Sequence, residues 1–237
     1  MAAVRHLPYQ IDLTTKYAHY EMLWKLTCLD LINRHIAEER RAGTRVLDVG
    51  SGRGEMMQLL AEQGYRVEGF DADPVCIELS SKHGICQRGN IADIASHYPG
   101  KLFDIVVSLH VIEHLENPQK SIEQLMRLSS QYLVLATPNL SSFPFLNLSR
   151  NIASCNAGHV CGWNYSHLTN LLQNILHLEI VEWAVDCVRL YDYLPYLGWL
   201  DNLLHRSGLR AQFEERILTR IFPNLSNSLI VLARVPS

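Results

Sequence analysis

A chain of 237 residues, 48% hydrophobic and 19% charged, is long enough to bury a full core and too apolar to belong to the disordered class. Its formal net charge of -3 and isoelectric point near 6.4 provide no basic field for a phosphate backbone, which disfavours nucleic acid as a substrate. No run approaches the ~20 apolar residues of a membrane span, the N-terminus MAAVRHLPYQ has no apolar signal core, and the six cysteines form no CxxC pair. A cytoplasmic protein with reduced thiols and no membrane partner is expected.

In chain order, apolar side chains at near-helical spacing from about Thr14 to Arg40, among them Tyr17, Tyr20 and Trp24, predict one or two leading helices. Short β-branched runs then alternate with helical segments. RVLDVG, YRVEGFD, ICQRG, FDIVVSLHV and QYLVLATP read as strands, with helices at Arg53 to Gln63, from Pro74, and at about Pro118 to Leu128. This is βαβ grammar, and the near-continuous apolar strands predict a parallel sheet covered on both faces, an α/β architecture. A polar and aromatic loop (Leu140 to Trp163), a helix (Ser166 to Asn174), a strand in LEIVEWAVDCV and a last strand in SLIVLARV complete the chain. One domain is expected: a core at about 40–188 and 226–237, a helical cap at 1–40, and a helical insertion at about 190–224. In that insertion Phe213, Ile217 and Ile221 share a helical face, which suits a lid or a homodimer contact.

In VLDVGSGRGE, Gly50, Gly52 and Gly54 follow a strand that ends in Asp48 and precede a helix, where a tight turn lets a ligand approach the backbone. A second acidic residue, Asp71, closes the next strand. A dinucleotide loop places its third glycine after two intervening residues, whereas here one intervenes, and no P-loop lysine follows. The set suits a ligand with an ammonium, a carboxylate and a ribose but no phosphate. Asp48 would lie near the cation, the backbone at Gly50, Ser51 and Gly52 near the amino-acid end, and Asp71 with Ala72 near the ribose. Asp71 could instead cap the helix at Pro74.

From Arg45 to Asn139 the segments VLDVGSGRG, GFDADP, GNIADI, FDIVVSLHVIEHL and LVLATPN resemble class I S-adenosylmethionine-dependent methyltransferases. VIEHLENP is similar to the ubiquinone-biosynthesis O-methyltransferase type, while FDIVVS, TPNLS and the terminal FPNL are similar to the MetW-like group. The resemblance implies a Rossmann-like sheet of seven strands with the last antiparallel, S-adenosylmethionine at the carboxyl ends of the strands with S-adenosylhomocysteine as product, and transfer of the methyl group to oxygen or nitrogen of a small-molecule substrate. It also implies that Asn90 and Ile91 bracket the adenine and that His110 lies near the methionine. Asn90 stands where the family usually has an acidic residue, so Asp93 or a backbone group could take that contact. A catalytically idle module that binds the cofactor and regulates a partner is the competing reading.

HVIEH has the form of an inverted zincin motif, but it directly follows a buried strand and no third ligand is evident, so no metal is assigned. His114 is the candidate base of the acceptor site, with a structural role and a divalent cation held with Glu113 as alternatives. Asn139, His159, Trp163 and Tyr165 are the remaining candidates for the acceptor pocket. Cys155, His159, Cys161 and His167 lie near one another in sequence but fit no zinc spacing.

Overall fold

The computed structural model describes residues 16–142, 158–189 and 213–236. Seven strands form one sheet: β1 (Arg45–Val49), β2 (Arg66–Asp71), β3 (Ile85–Arg88), β4 (Phe103–Leu109), β5 (Ser129–Pro138), β6 (Glu179–Ala184) and β7 (Ser228–Arg234), in the order β3-β2-β1-β4-β5-β7-β6. The first five pair in parallel, and β7 runs antiparallel between β5 and β6. Ser228 stands opposite Pro138, so β7 begins where β5 ends.

Buried side chains leave both faces of the sheet, as the apolar runs predict. Ile105 and Val107 of β4 pack with Cys28, Leu31 and Ile32 of α1 (Lys16–His35) and with Met56 and Leu60 of α3 (Glu55–Glu62). Val106 points the other way, into a cluster with Ile94, Ile122 and Leu125. The second helix, α2, is the short turn Glu38–Arg41. Helices α4 (Pro74–Ser80) and α6 (Pro118–Leu128) start with proline in the first turn, capped by Asp73, which accepts from the Val75 amide, and by Asn117, which accepts from the Lys120 amide. In α6, Ser121, Ile122, Leu125 and Leu128 form the buried stripe, at i, i+3 and i+4 spacing. Truncating Ile122 to alanine there would cost about 2 to 5 kcal/mol. The weakest predicted strand, β3, lies at the sheet edge with Ile85 70% exposed.

The predicted helix after Asn164 forms as α7 (Tyr165–Thr169) and widens into a π-helical turn, Asn170–Ile175. The predicted loop 140–163 is described only at its two ends, and most of the predicted insertion, 190–212, lies outside the described residues together with Tyr191, Tyr193, Tyr196 and Trp199. Of the face expected through Phe213, Ile217 and Ile221, Phe213 is half-buried. Ile217 and Ile221 are exposed, whereas Glu214 and Leu218 are buried. A π-helical turn at Phe213–Ile217 precedes α8 (Leu218–Ile221) and shifts the register by which α-helical spacing was counted. The Tyr20 hydroxyl donates to Glu214 at 2.9 Å and draws that residue inward.

Candidate functional site

The carboxyl ends of β1, β2, β4 and β5 and the start of β7 share one edge, and the candidate residues collect there. Three left-handed glycines form the turn after β1: Gly50 (φ 77°), Gly52 (φ 53°) and Gly54 (φ 87°). Two are packed tightly. A Cβ on Gly50 would lie 2.2 Å from Val111 Cγ2, and one on Gly54 2.9 Å from Ser80 Cα. A Cβ on Gly52 would meet nothing within 4 Å. That open space above a bare backbone is a cradle that a side chain would fill, and it fits a ligand lying on the loop.

Asp71 braces this cradle. Its Oδ2 accepts from the Gly52 amide and its Oδ1 from the Asp73 amide, both at 2.9 Å. The cap of α4 is Asp73, so the alternative that assigned it to Asp71 falls, and the remaining Asp71 lone pairs stay available to a diol. Beneath the turn, Asp48 is 2% exposed, and its Oδ2 has no hydrogen-bond partner among the described residues. Burial pushes its carboxyl up to about 7, against the pull of Lys25 and with a further push from Asp71 and Glu55. An unpartnered buried carboxyl facing a cradle fits a ligand that brings a cation. Ser51 is buried at 4% exposure with its hydroxyl 3.4 Å from that of Ser80, and Ala72 is exposed, its carbonyl accepting from Arg88. Asn90 caps the turn Ile91–Asp93 by accepting from the Ala92 amide, with Ile91 buried beside it.

Helix α1 closes over this edge. Trp24 lies on the His110 ring with centroids 4.4 Å apart, and Lys25 pairs with Glu55 at 3.4 Å. Sequence spacing marked Trp24 as an aromatic stripe residue but gave no signal for Lys25, because its partner lies across a tertiary contact. Tyr17 has a side chain outside the described residues.

His110 ends β4 in the left-handed region (φ 55°), an unusual conformation for a non-glycine residue. Its amide donates to Ala136 at 2.7 Å, its Nδ1 lies 3.4 Å from Glu113 Oε1, and its Nε2 lies 3.3 Å from the Ser228 hydroxyl. Glu113 is 1% exposed, and its Oε2 accepts from the Thr137 hydroxyl at 3.1 Å. Burial pushes its carboxyl up, but the His110 contact, its backbone bond and His114 outweigh that and hold it below the ordinary value. The segment Ile112–His114 is a single 3-10 turn, so the two histidines of HVIEH do not stack on a helix as a zincin requires.

Below this turn, Glu113, Pro138, Leu140, His159, Val160, Cys161 and Gly162 enclose a cavity of about 240 Å³. The Glu113 carbonyl accepts from the amides of Val160 and Cys161, which fixes the loop against β4. His114 is exposed, and its Nδ1 lies 3.1 Å from the Gly158 carbonyl, which can only accept, so the proton is on Nδ1. Its ring meets that of His159 edge on at 4.8 Å. Among the described residues, Glu113, His114 and His159 offer potential metal-ligand atoms within 4.8 Å of one another. A cation with bonds of about 2.1 Å gathers its ligand atoms to roughly 3.4 Å, so the three would have to close in before they could share one.

Three candidates for the acceptor pocket make contacts within the scaffold. Asn139 is fully buried; its amide donates to the carbonyls of Asn224 and Ser226, and its oxygen accepts from the Ser141 amide. Tyr165 reaches the Ser226 hydroxyl at 3.0 Å and packs edge on against Trp183. Trp163 leans on the core and bonds through its backbone carbonyl to Leu140. Asn139 and Tyr165 tie the ends of β5 and α7 to the turn before β7, and Trp163 holds Leu140, tertiary roles that residue type alone does not reveal. Only His159 of that group faces the cavity.

A family model described as a methyltransferase domain matches residues 17–175. The chain belongs to this methyltransferase-domain family. Over 129 residues it is 31% identical to the ubiquinone biosynthesis O-methyltransferase of Maricaulis maris, covering 51% of this chain and 49% of that protein. Over 92 residues it is 32% identical to the mitochondrial ubiquinone biosynthesis O-methyltransferase of Schizosaccharomyces pombe, covering 36% of this chain and 34% of that one. These matches span half or less of the relatives' length. Magnesium protoporphyrin IX methyltransferase from Synechocystis PCC 6803, solved with S-adenosylhomocysteine bound, has the same fold, with a TM-score of 0.63 at 14% identity over 96% of this chain and 91% of that one. The N-methyltransferase NodS from Bradyrhizobium japonicum shares it with a TM-score of 0.56 at 16% identity, over 92% and 98% of the two chains. The Rossmann-like class I methyltransferase architecture expected from the motifs is therefore the architecture of this chain. No helix among the described residues is long and apolar enough to cross a membrane.

Proposed function

We propose that the chain binds S-adenosylmethionine on the Gly50–Gly54 turn and transfers its methyl group to oxygen or nitrogen of a small-molecule acceptor. The observation that carries this reading is the cradle: open space over Gly52, Asp71 gripping the same turn, and the unpartnered Asp48 beneath it. Asp71 would accept from the ribose hydroxyls, Asn90 and Ile91 would flank the adenine, and Asp48 would meet the cationic amino-acid end. The donor supplies an already activated methyl on its sulfonium. The protein's part is then to hold donor and acceptor in line and exclude water. Helix α1, with Trp24 over His110 and Lys25 over Glu55, provides the cover, and the cavity at Glu113 and His159 takes the acceptor, with the His114 ring against His159. One domain in the cytoplasm, with the segment around 190–224 serving as lid or homodimer contact, completes the proposal.

Calorimetry with S-adenosylmethionine, S-adenosylhomocysteine and NAD tests it. Binding of the first two and not the third is the expected result, and selective binding of NAD would overturn it. Donor binding with no turnover against any metabolite would instead favour the idle regulatory module.

A further inference from the structure

The lining of the acceptor cavity is mostly apolar, with Pro138, Leu140 and Val160, and it includes the carboxylate of Glu113. Glu113 is fully enclosed there, held by the Thr137 hydroxyl and by His110. Among the described residues, no lysine or arginine lines the cavity. A carboxylate or phosphate acceptor would meet an uncompensated like charge in a site of low polarity, a costly encounter. A neutral hydroxyl on a compact apolar frame meets no such penalty. It must, however, lose a proton as its oxygen accepts the methyl group, and the cavity needs a group to receive that proton.

Two imidazoles stand nearby. His114 is exposed, and its Nδ1 proton is committed to the Gly158 carbonyl. His159 forms part of the cavity lining and is half-buried, so part of it remains open to solvent. We infer that His159 is the base that takes the proton from a neutral hydroxyl of the methyl acceptor, with Glu113 as the positioning carboxylate behind it. The inference rests on the methyltransferase reading above. The hydroxyl oxygen forms a bond to the methyl carbon as the carbon–sulfur bond of the donor breaks, and that bond's electron pair remains on sulfur. The hydroxyl proton passes to His159 and from its open side to water. Burial lowers the pKa of His159, Glu113 opposes that, and His114 and His110 add to the lowering. The ring is consequently neutral near pH 7 and able to accept a proton.

The test uses phenol as the probe acceptor, its hydroxyl titrating near about pH 10 as tyrosine's does. Replacing His159 with alanine should lower kcat for phenol about a hundredfold or more, and added imidazole should restore much of that loss. Affinity for S-adenosylhomocysteine should stay nearly unchanged. The variant Glu113→Gln should shift the acid limb of the phenol pH profile to lower pH, and NMR titration of the His159 ring should show the same fall in pKa. A loss that imidazole does not relieve would overturn the base assignment. Activity lost to a chelator and restored by a divalent cation would replace the base with a metal. A wild-type protein that binds the donor but does not methylate phenol would overturn the hydroxyl class, and one that binds no donor would overturn the methyltransferase reading itself.

Discussion

The edge of the sheet proposed for the donor and the edge proposed for the acceptor are built by different means. At the ends of β1 and β2 the site is made by backbone: three left-handed glycines, the bare cradle over Gly52, and a carboxylate that grips the turn through main-chain amides. At the ends of β4, β5 and β7 it is made by side chains drawn from positions as distant as Glu113, Thr137, His159 and Ser228. A backbone turn needs its glycines in a fixed local spacing, so it leaves a contiguous trace. A side-chain pocket can be assembled from any positions the fold brings together.

The sharpest way to break that comparison is to substitute the loop itself. Gly50→Ala forces a side chain into the left-handed region and against Val111 Cγ2 at 2.2 Å. Strain and overpacking together should weaken S-adenosylmethionine binding about a hundredfold, measured by calorimetry on protein whose circular dichroism shows a folded sheet. Wild-type affinity would show that the turn does not hold the donor. Next in size, Asp71→Ala removes the acceptor of the Gly52 and Asp73 amides and the proposed ribose contacts. It should cost roughly 1.5 to 3 kcal/mol of donor affinity, while the ring pKa of His159 stays where it was.

Legibility follows the same divide. The glycines, Asp48, Asp71 and the strands that carry them were readable because their spacing is local and their apolar runs are continuous. The lone ambiguous strand, β3, is the one the structure leaves at an edge. Asn139, Trp163 and Tyr165 suggest a pocket because they follow β5, yet Asn139 and Tyr165 bond to the turn at Asn224 and Ser226 and the Trp163 ring packs on the core. Residue type gives donors and acceptors but not the partner that will use them. The face through Phe213, Ile217 and Ile221 is counted on α-helical spacing, and the π-helical turn at Phe213–Ile217 changes that period, leaving Ile217 and Ile221 exposed beside the buried Leu218.

Asn139 sharpens the contrast from the acceptor side. Replacing it with alanine leaves the buried Ser226 carbonyl, the Asn224 carbonyl and the Ser141 amide without their bonds, which should cost about 1 to 3 kcal/mol of stability. Thermal denaturation should record that loss, with donor affinity unchanged at a temperature where the variant is folded. A variant of normal stability with a raised KM for the acceptor would return Asn139 to the pocket.

The smallest expected effect is a dependence on pH, and it separates the fold's interest from the ligand's at one residue. Burial raises Asp48 from 3.8 to about 7, so between these values the folded protein holds a proton that the unfolded chain has released. Its contribution to stability is complete below pH 3.8 and is lost as pH rises through about 7. The donor's ammonium asks for the opposite state, because only the ionised carboxylate pairs with it. Affinity for S-adenosylmethionine should therefore weaken by up to tenfold for each unit of pH below about 7, while the unliganded protein gains stability over the same interval from this group. Asp48→Asn keeps the shape and removes the titration. It should flatten both trends together, with donor affinity at pH 8 reduced to the level the wild type shows near pH 6. Calorimetry across that range and melting curves of the unliganded protein measure the two trends independently. If affinity keeps its slope in the asparagine variant, the proton belongs to another group and Asp48 serves the fold alone.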